Sequence, residues 1–280
     1  MNERVASIAA AQLPSGAFPS FRSRGGTTSL DENGFVTALV ALELLPFVHL
    51  EAARAAVERA TGFLERCGSG GVFAFYPRGA APPAIGDLPP DADDTAIVIS
   101  LFLRTGRWPL SRALEVIDGA LEKYRLHHRP ESSPHWVRAG AYRTWLDGRE
   151  PANPVDCCVN ANVAALLRLA GRVDGGYAAA WGTVACAAEW LAESPDLFAL
   201  ASPYYAQAGE LHDAVRRAVA CGVVELAETL ASLDARSMRN GDGDTPLFRS
   251  ADGAFLWSAP LLHAARRLRP FAQTIEKESS

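Results

Sequence analysis

Apolar side chains recur at helical spacing along most of the chain. Val57, Ala60, Phe63 and Leu64 fall on one face of the segment 49–66, the three-and-four spacing of an amphipathic helix. Comparable stripes run through 110–124, 163–169, 177–191, 211–233 and 256–268, and each predicts a helix. No period-two alternation is long enough to predict a strand. Gly- and Pro-rich stretches at 68–71, 77–90, 151–154 and 241–246 separate the helices, and none reads as a long linker. The pattern predicts an all-α chain whose residues 1–280 form a single domain.

Five segments share one form, an acidic, Pro-marked or aromatic loop that passes at once into an apolar helix. They begin at Asp31, Asp93, Asp156, Pro203 and Trp257. Successive starts lie roughly 45 to 65 residues apart, the room taken by a helix pair and its loops. Pairs repeated in this way predict an α/α toroid. Its inner helices would aim their amino ends, and the acids there, at one mouth of the barrel.

Composition narrows the partners. With 49% apolar and 21% charged residues among 280, the chain can fill a core and is neither disordered nor a coiled coil. A net charge of −5 without a block of basic residues makes nucleic acid an unexpected partner. Five cysteines, an odd number without CxxC spacing, fit a reducing cytoplasm. The longest apolar runs, such as 96–99 and 101–103, fall far short of the roughly 20 residues of a membrane-spanning helix.

The densest chemistry is Pro89-Pro90-Asp91-Ala92-Asp93-Asp94-Thr95-Ala96. One aspartate after two prolines is a good helix cap, and acids in a first turn suit the helix dipole. A third aspartate within four residues adds repulsion and little capping. Crowded, buried carboxyls cannot all ionise, so one keeps its proton near neutral pH. The segment resembles the DxDD(T)A acid motif of class II terpene cyclases, which protonate a terminal alkene or epoxide to start cyclisation. Gln12-Leu-Pro-Ser-Gly16-Ala-Phe18 is similar to the tail of the QW repeat of squalene–hopene cyclases. Arg59-Ala60-Thr-Gly-Phe63-Leu64 with Gly71-Val-Phe73 looks like a second copy.

The resemblance implies that Asp93 is the general acid, with Asp91 and Asp94 orienting its proton and tuning its acidity. Such cyclases often place Asn or His against the acid, a place that Asn160 or Asn162 would fill. Aromatic faces stabilise a migrating cation; Phe18, Phe35, Phe73, Tyr142, Trp145, Tyr204, Tyr205 and Trp257, all near predicted inner-helix entries or loops facing them, are the candidates. Arg22, Arg24 and Arg143 are the candidates for a diphosphate. No class I DDxxD motif is present, so the diphosphate is expected to stay on the product. Single-barrel, drimenyl diphosphate synthase-like cyclases resemble the chain in size. That likeness points to farnesyl diphosphate, a bicyclic drimane-type diphosphate as product, Mg2+ on the phosphates, and a separate phosphatase or a homo-oligomer as partner. Two alternatives stay open. Zinc-dependent prenyltransferases share the toroid, with Asp156, Cys158 and His263 as the ligand set, and a non-catalytic toroid would bind a lipid or partner protein.

Overall fold

The computed structural model describes residues 1–148, 153–236, 241 and 243–272; of the expected linkers, 151–152 and 242 lie outside the described residues. The chain opens with α1 (Asn2–Ala10), the strands β1 (Ser20–Arg24) and β2 (Thr27–Asp31), then α2 (Gly34–Leu44) and α3 (Glu51–Glu65). A short hairpin, β3 (Gly68–Ser69) with β4 (Val72–Phe73), precedes α4 (Ala92–Arg104) and α5 (Leu110–Gly119). Next come α6 (Cys157–Leu169), α7 (Gly175–Glu193), α8 (Phe198–Ala201), α9 (Gly209–Ala220) and α10 (Ala227–Ala235). The strands β5 (Phe248–Arg249) and β6 (Leu256–Ser258) lead into α11 (Pro260–Arg266).

Burial separates two kinds of helix. In α2, α4 and α6 nearly every residue of the first three turns is buried on all sides, the condition of a helix enclosed by neighbours. In α3 only the stripe Ala53, Ala56, Val57, Ala60, Thr61, Phe63 and Leu64 is buried, and in α5 only Ala113, Val116 and Ile117. The enclosed helices touch in turn: α2 packs on α4, α4 on α6, α6 on α9, and α11 on α2. Arg266 of α11 joins α9 through a two-pronged bridge to Glu210 at 2.6 and 2.8 Å and a contact with Asp213 at 3.0 Å. The one-faced helices cover this cycle, α3 on α2, α5 on α4, α7 on α6 and α10 on α9.

Ile97, Val98, Ile99, Leu101 and Phe102 of α4 are almost wholly buried, and each contributes about 1.5–3 kcal/mol relative to exposure. That is enough to carry carboxyl groups into the interior at the same helix's amino end. Among the described residues, no helix is long and apolar enough to cross a membrane.

The structure corrects three expectations from the hydrophobic pattern. The stripe at 211–233 is two helices, because Gly222 (φ +94°) and a 3-10 turn at Val224–Leu226 break it. Periodicity persisted across the break because both pieces face the same core. The stripe at 256–268 begins as strand β6. The chain is also not purely helical: β2, β1, β6 and β5 form an antiparallel sheet in that order, pairing Ser20 with Asp31, Phe21 with Ser258 and Phe248 with Trp257. Strands of two to five residues carry too little alternation to be read in isolation.

The Gly-x-aromatic units are joints between loop and helix. Gln12 Nε2 donates to the Gly16 carbonyl at 2.8 Å and to Ala56 of α3 at 2.9 Å. Gly16 has φ +91°, and a Cβ there would lie 2.5 Å from the Arg59 carbonyl. Gly71, also at φ +91°, would place a Cβ 2.6 Å from Val116 of α5. Glycine is required at both positions by conformation and by close approach.

Candidate active site

The amino ends of α2, α4 and α6 follow one plan. Each has a capping side chain: Asn33 accepts from Val36 N (2.8 Å), Asp91 from Asp94 N (2.7 Å), and Asp156 from Cys158 N (2.8 Å). Four residues on, a polar side chain accepts the backbone N–H of a Gly-x-aromatic unit. Thr37 takes Phe18 N (3.1 Å), Thr95 takes Phe73 N (3.0 Å) and Asn160 takes Tyr142 N (2.9 Å). Two residues after the cap stand Phe35, Asp93 and Cys158, and six after it Leu39, Ile97 and Asn162. In this register Asp93 and Asn162 are polar side chains at otherwise apolar or weakly polar positions.

These two meet. Asn162 Nδ2 donates to Asp93 Oδ1 at 2.7 Å, and Asp93 Oδ2 is paired with the Tyr205 hydroxyl. Asn162 Oδ1 accepts in turn from Arg217 Nε and Nη2 at 3.3 and 3.0 Å. A guanidinium only donates, so the atom facing Arg217 must be the amide oxygen, and the NH2 group faces Asp93. Of the two expected asparagines, Asn162 therefore reaches the acid. Asn160 instead ties down residue 142, donating to the carbonyls of Tyr142 and Asp156, both at 2.9 Å.

All three aspartates of the motif are buried. Burial raises the pKa of Asp93, against the opposing hydrogen bonds of Tyr205 and Asn162. Asp91 is raised to about 7, first by burial and further by the charge of Asp93. Asp94 is raised well above the carboxylate range by burial and by the neighbouring Asp91. The orienting partners of Asp93 are thus Asn162 and Tyr205. Asp91 caps the helix, and Asp91 and Asp94 are bonded to one another, which corrects the expectation that these two hold the Asp93 proton in place. A fourth buried acid, Asp156, is also raised to about 7 by burial, opposed by the hydrogen bond from Ser202 (2.6 Å).

Asp91, Asp93 and Asp94 stand in the wall of a cavity of about 500 Å³. Its other walls are mostly aromatic and apolar: Phe35, Phe75, Trp145, Tyr204, Tyr205 and Trp257, with Ile85 and Leu88 from the loop before α4. The rings are locked edge to face, Phe35 on Phe248 with centroids 5.0 Å apart and Trp145 on Tyr204 at 5.4 Å, and Trp145 Nε1 donates to the Tyr204 hydroxyl at 2.7 Å. The sheet supplies one side of the cavity through Phe248 and Trp257.

No family model matches the chain, and no curated protein does. Solved structures similar to it include a protein from Actinoplanes, 16% identical, with a TM-score of 0.46 over 100% of this chain and 98% of that one. Another is the type II terpene cyclase MstE from Scytonema in its apo form, 15% identical, with a TM-score of 0.48 over 96% and 97%. Likeness this distant bears on neither activity nor substrate.

The remaining expected residues divide. Phe35, Trp145, Tyr204, Tyr205 and Trp257 line the cavity; Phe18, Phe73 and Tyr142 do not. Phe18 is core, and the Tyr142 hydroxyl donates to Glu122 at 2.6 Å on the far side of its loop. Arg22 is tied to Ser29 at 3.1 Å and to Asp31, and Arg143 reaches the Asn153 carbonyl. Arg24 lies 4.8 Å over the ring of Phe255, a cavity residue, which places it at the rim. Among the described residues the cation in the cavity wall is Arg249, whose Nε donates to the Pro203 carbonyl at 2.8 Å; no local signal marked it. The zinc set is not assembled. Ligand atoms of Asp156, Cys157 and Cys158 lie within 4.8 Å of one another, but His263 does not join them. It sits in α11 beside Arg266, its pKa lowered by burial and by that charge.

Tyr205 as a partner of the acid, and Arg217 behind Asn162, were also missed. The sequence places Tyr205 among the expected cavity aromatics, but not as a partner of the acid. Its bond to Asp93 spans 112 residues of sequence, and no local pattern encodes it.

Proposed function

We propose that the chain is a class II terpene cyclase, which closes rings by protonating the terminal alkene of a linear polyene. One observation carries this reading. Asp93, a carboxyl that burial disposes to keep its proton, stands in the wall of an aromatic cavity of about 500 Å³, with both oxygens positioned by neighbours. That volume is within the roughly 300–1,000 Å³ of small-molecule sites. Protonation leaves a tertiary cation on the substrate, and the ring faces of Phe35, Trp145, Tyr204 and Trp257 would stabilise it as it migrates. The carboxylate left behind is met by Asn162 and Tyr205, so charge separates between fixed dipoles, with little reorganisation. The closed cycle of enclosed helices with outer helices over them supports an α/α toroid as the frame.

The substrate we favour is a linear prenyl diphosphate, farnesyl diphosphate first, cyclised to a bicyclic drimane-type diphosphate. Arg249 in the cavity wall and Arg24 at the rim are the cations for the head group, replacing Arg22 and Arg143 in that role. Magnesium commonly takes one or two carboxylates together with substrate phosphates. Asp252 fits that need: it is exposed at the cavity's edge, and its pKa is lowered by the Ser250 hydroxyl and the Ala254 N–H.

The test is incubation with farnesyl and geranylgeranyl diphosphates, phosphatase treatment and product analysis. We expect cyclic alcohols from the wild type and a fall of about 10⁴-fold, the upper range for loss of a general acid, in Asp93→Asn. Equal cyclic product from Asp93→Asn sinks the mechanism and leaves the lipid-binding alternative. Turnover of a head-group-free polyene alone removes the diphosphate claim.

A further inference from the structure

We propose that the strap 77–89 is the gate of the cavity and that Ile85 and Leu88 on it seal the bound polyene from water; the nature of that ligand rests on the cyclase reading above. The walls of the cavity are unequally held. Phe35 and Val159 belong to α2 and α6, and the three aspartates to α4 and its cap. Gly34 N donates to the Phe75 carbonyl at 2.7 Å, Ala92 N to the Thr144 carbonyl at 2.7 Å, and Arg249 N to the Tyr204 carbonyl at 2.9 Å. Phe248 and Trp257 are paired strand to strand, and Tyr205 is bonded to Asp93. The remaining wall is Ala84, Ile85 and Leu88. It lies in a strap whose hydrogen bonds are its own: Ala80 N donates to the Pro77 carbonyl at 2.9 Å, and Ile85 N and Gly86 N to the Pro82 carbonyl at 2.8 and 3.1 Å. Among the described residues, no hydrogen bond or ion pair joins 77–89 to the rest of the chain.

The ends of the strap are fixed and its middle is not. Before it, the Tyr76 hydroxyl donates to Asp31 Oδ1 at 2.9 Å; after it, the Pro90 carbonyl accepts from Leu146 N at 3.1 Å. Between these anchors only Ile85 packs on the hydrophobic core, and it is half-buried. Full burial of such a side chain is worth about 1.5–3 kcal/mol, so this wall opens at less cost than the hydrogen-bonded ones. Gly79, at φ +73° with no atom within 4 Å of where a Cβ would stand, supplies a hinge. Pro82, Pro83 and Pro89 stiffen the piece that swings. The strap's two charged residues, Arg78 and Asp87, are exposed, whereas its apolar residues line the cavity. Closing it therefore lays hydrocarbon against a ligand and leaves charge in solvent.

A cation makes that seal matter. If water enters, a lone pair on its oxygen forms a C–O bond to the cationic carbon, a proton passes to a second water, and the product is an alcohol carrying solvent oxygen. Excluding water removes this route. Ile85 and Leu88 have no lone pair to offer in its place, so they decide whether the cation is quenched by water.

The experiment reads hydrogen exchange and product oxygen on full chains. Without ligand, the amides of 79–88 should exchange about tenfold or more faster than those of β5 and β6. Farnesyl diphosphate bound to Asp93→Asn should slow the strap's amides about tenfold. In water labelled in its oxygen, the wild type should give cyclic product without the label on carbon. Leu88→Ser should give labelled alcohol, and Ile85→Ser with Leu88→Ser a larger share of it. Leu88 is not packed on the core, so the single variant serves should the double one not fold. Strap amides that ignore the ligand, or variants whose product stays unlabelled, overturn the gate and leave the cyclase reading standing. Label in the wild-type product overturns the seal. If no chain gives cyclic product the cyclase reading fails, and exchange alone decides: slowing by farnesyl diphosphate or farnesol supports the gate, and no slowing by either overturns it.

Discussion

The amino ends of α4 and α6 share a capping aspartate, Asp91 and Asp156, and a polar side chain one turn on, Thr95 and Asn160, that holds an incoming backbone N–H. They part at three polar positions. Two residues after the cap, α4 has Asp93 where α6 has Cys158; three after it, Asp94 where α6 has Val159; six after it, α6 has Asn162 where α4 has Ile97. The first and last of these are the pair joined at 2.7 Å, and Asp94 is bonded to Asp91. The shared features build a helix end, while the unshared ones build a site. Acids are therefore not equivalent here: Asp91 and Asp156 serve the backbone, and Asp93 has no backbone to serve.

Three substitutions test that division beyond the one at Asp93. The largest effect is expected at Asn162→Leu, which restores the apolar pattern of α2 and α4 and leaves Asp93 Oδ1 without its donor. Turnover should fall about 100-fold, equivalent to about 2.7 kcal/mol, with KM little changed; activity near wild type would dissolve the distinction between shared and unshared positions. Asn160→Ala should do the converse. The backbone groups of Tyr142 lose their partners, which costs about 1–3 kcal/mol of stability. Thermal denaturation should show the loss, and activity per folded molecule should stay the same.

The third substitution concerns pH. Asp156 holds its proton in the folded state up to about pH 7, whereas an unfolded aspartate loses it near pH 4. Its contribution is fully present below about pH 4 and is lost as pH rises toward 7, because unfolding then releases a proton. Asp156→Asn should flatten the decline of stability with pH in that window by up to about 1.4 kcal/mol per pH unit. The slope is measurable by denaturant titration at several pH values, and an unchanged slope would show that Asp156 is ionised in the fold.

The misreadings share a cause. Phe18 and Tyr142 are expected in the cavity because they lie near helix entries, yet each sits in a Gly-x-aromatic unit that places the aromatic under a loop, where its N–H meets Thr37 or Asn160. Trp145 and Tyr204 are expected there on the same ground and do line the cavity, where they are bonded to one another. Arg22 and Arg143 are expected at the head group from their loops alone, but neither lines the cavity: Arg22 is paired with Asp31, and Arg143 reaches the Asn153 carbonyl.

The helices expected at Pro203 and Trp257 start later, at Gly209 and Pro260, but by itself the sequence determined where the enclosed helices α2, α4 and α6 begin and which helix end carries an excess acid. Those are local properties, set by apolar periodicity, capping geometry and the mutual repulsion of neighbouring carboxyls. Only the tertiary structure decided what Asp93 touches. Its partners come from α6 and from the loop before α9, and two stretches near opposite ends of the chain pair as strands to close the cavity. A hydrogen bond depends on position to within tenths of an ångström, and across such sequence distances that position is set by the packing of every helix in between.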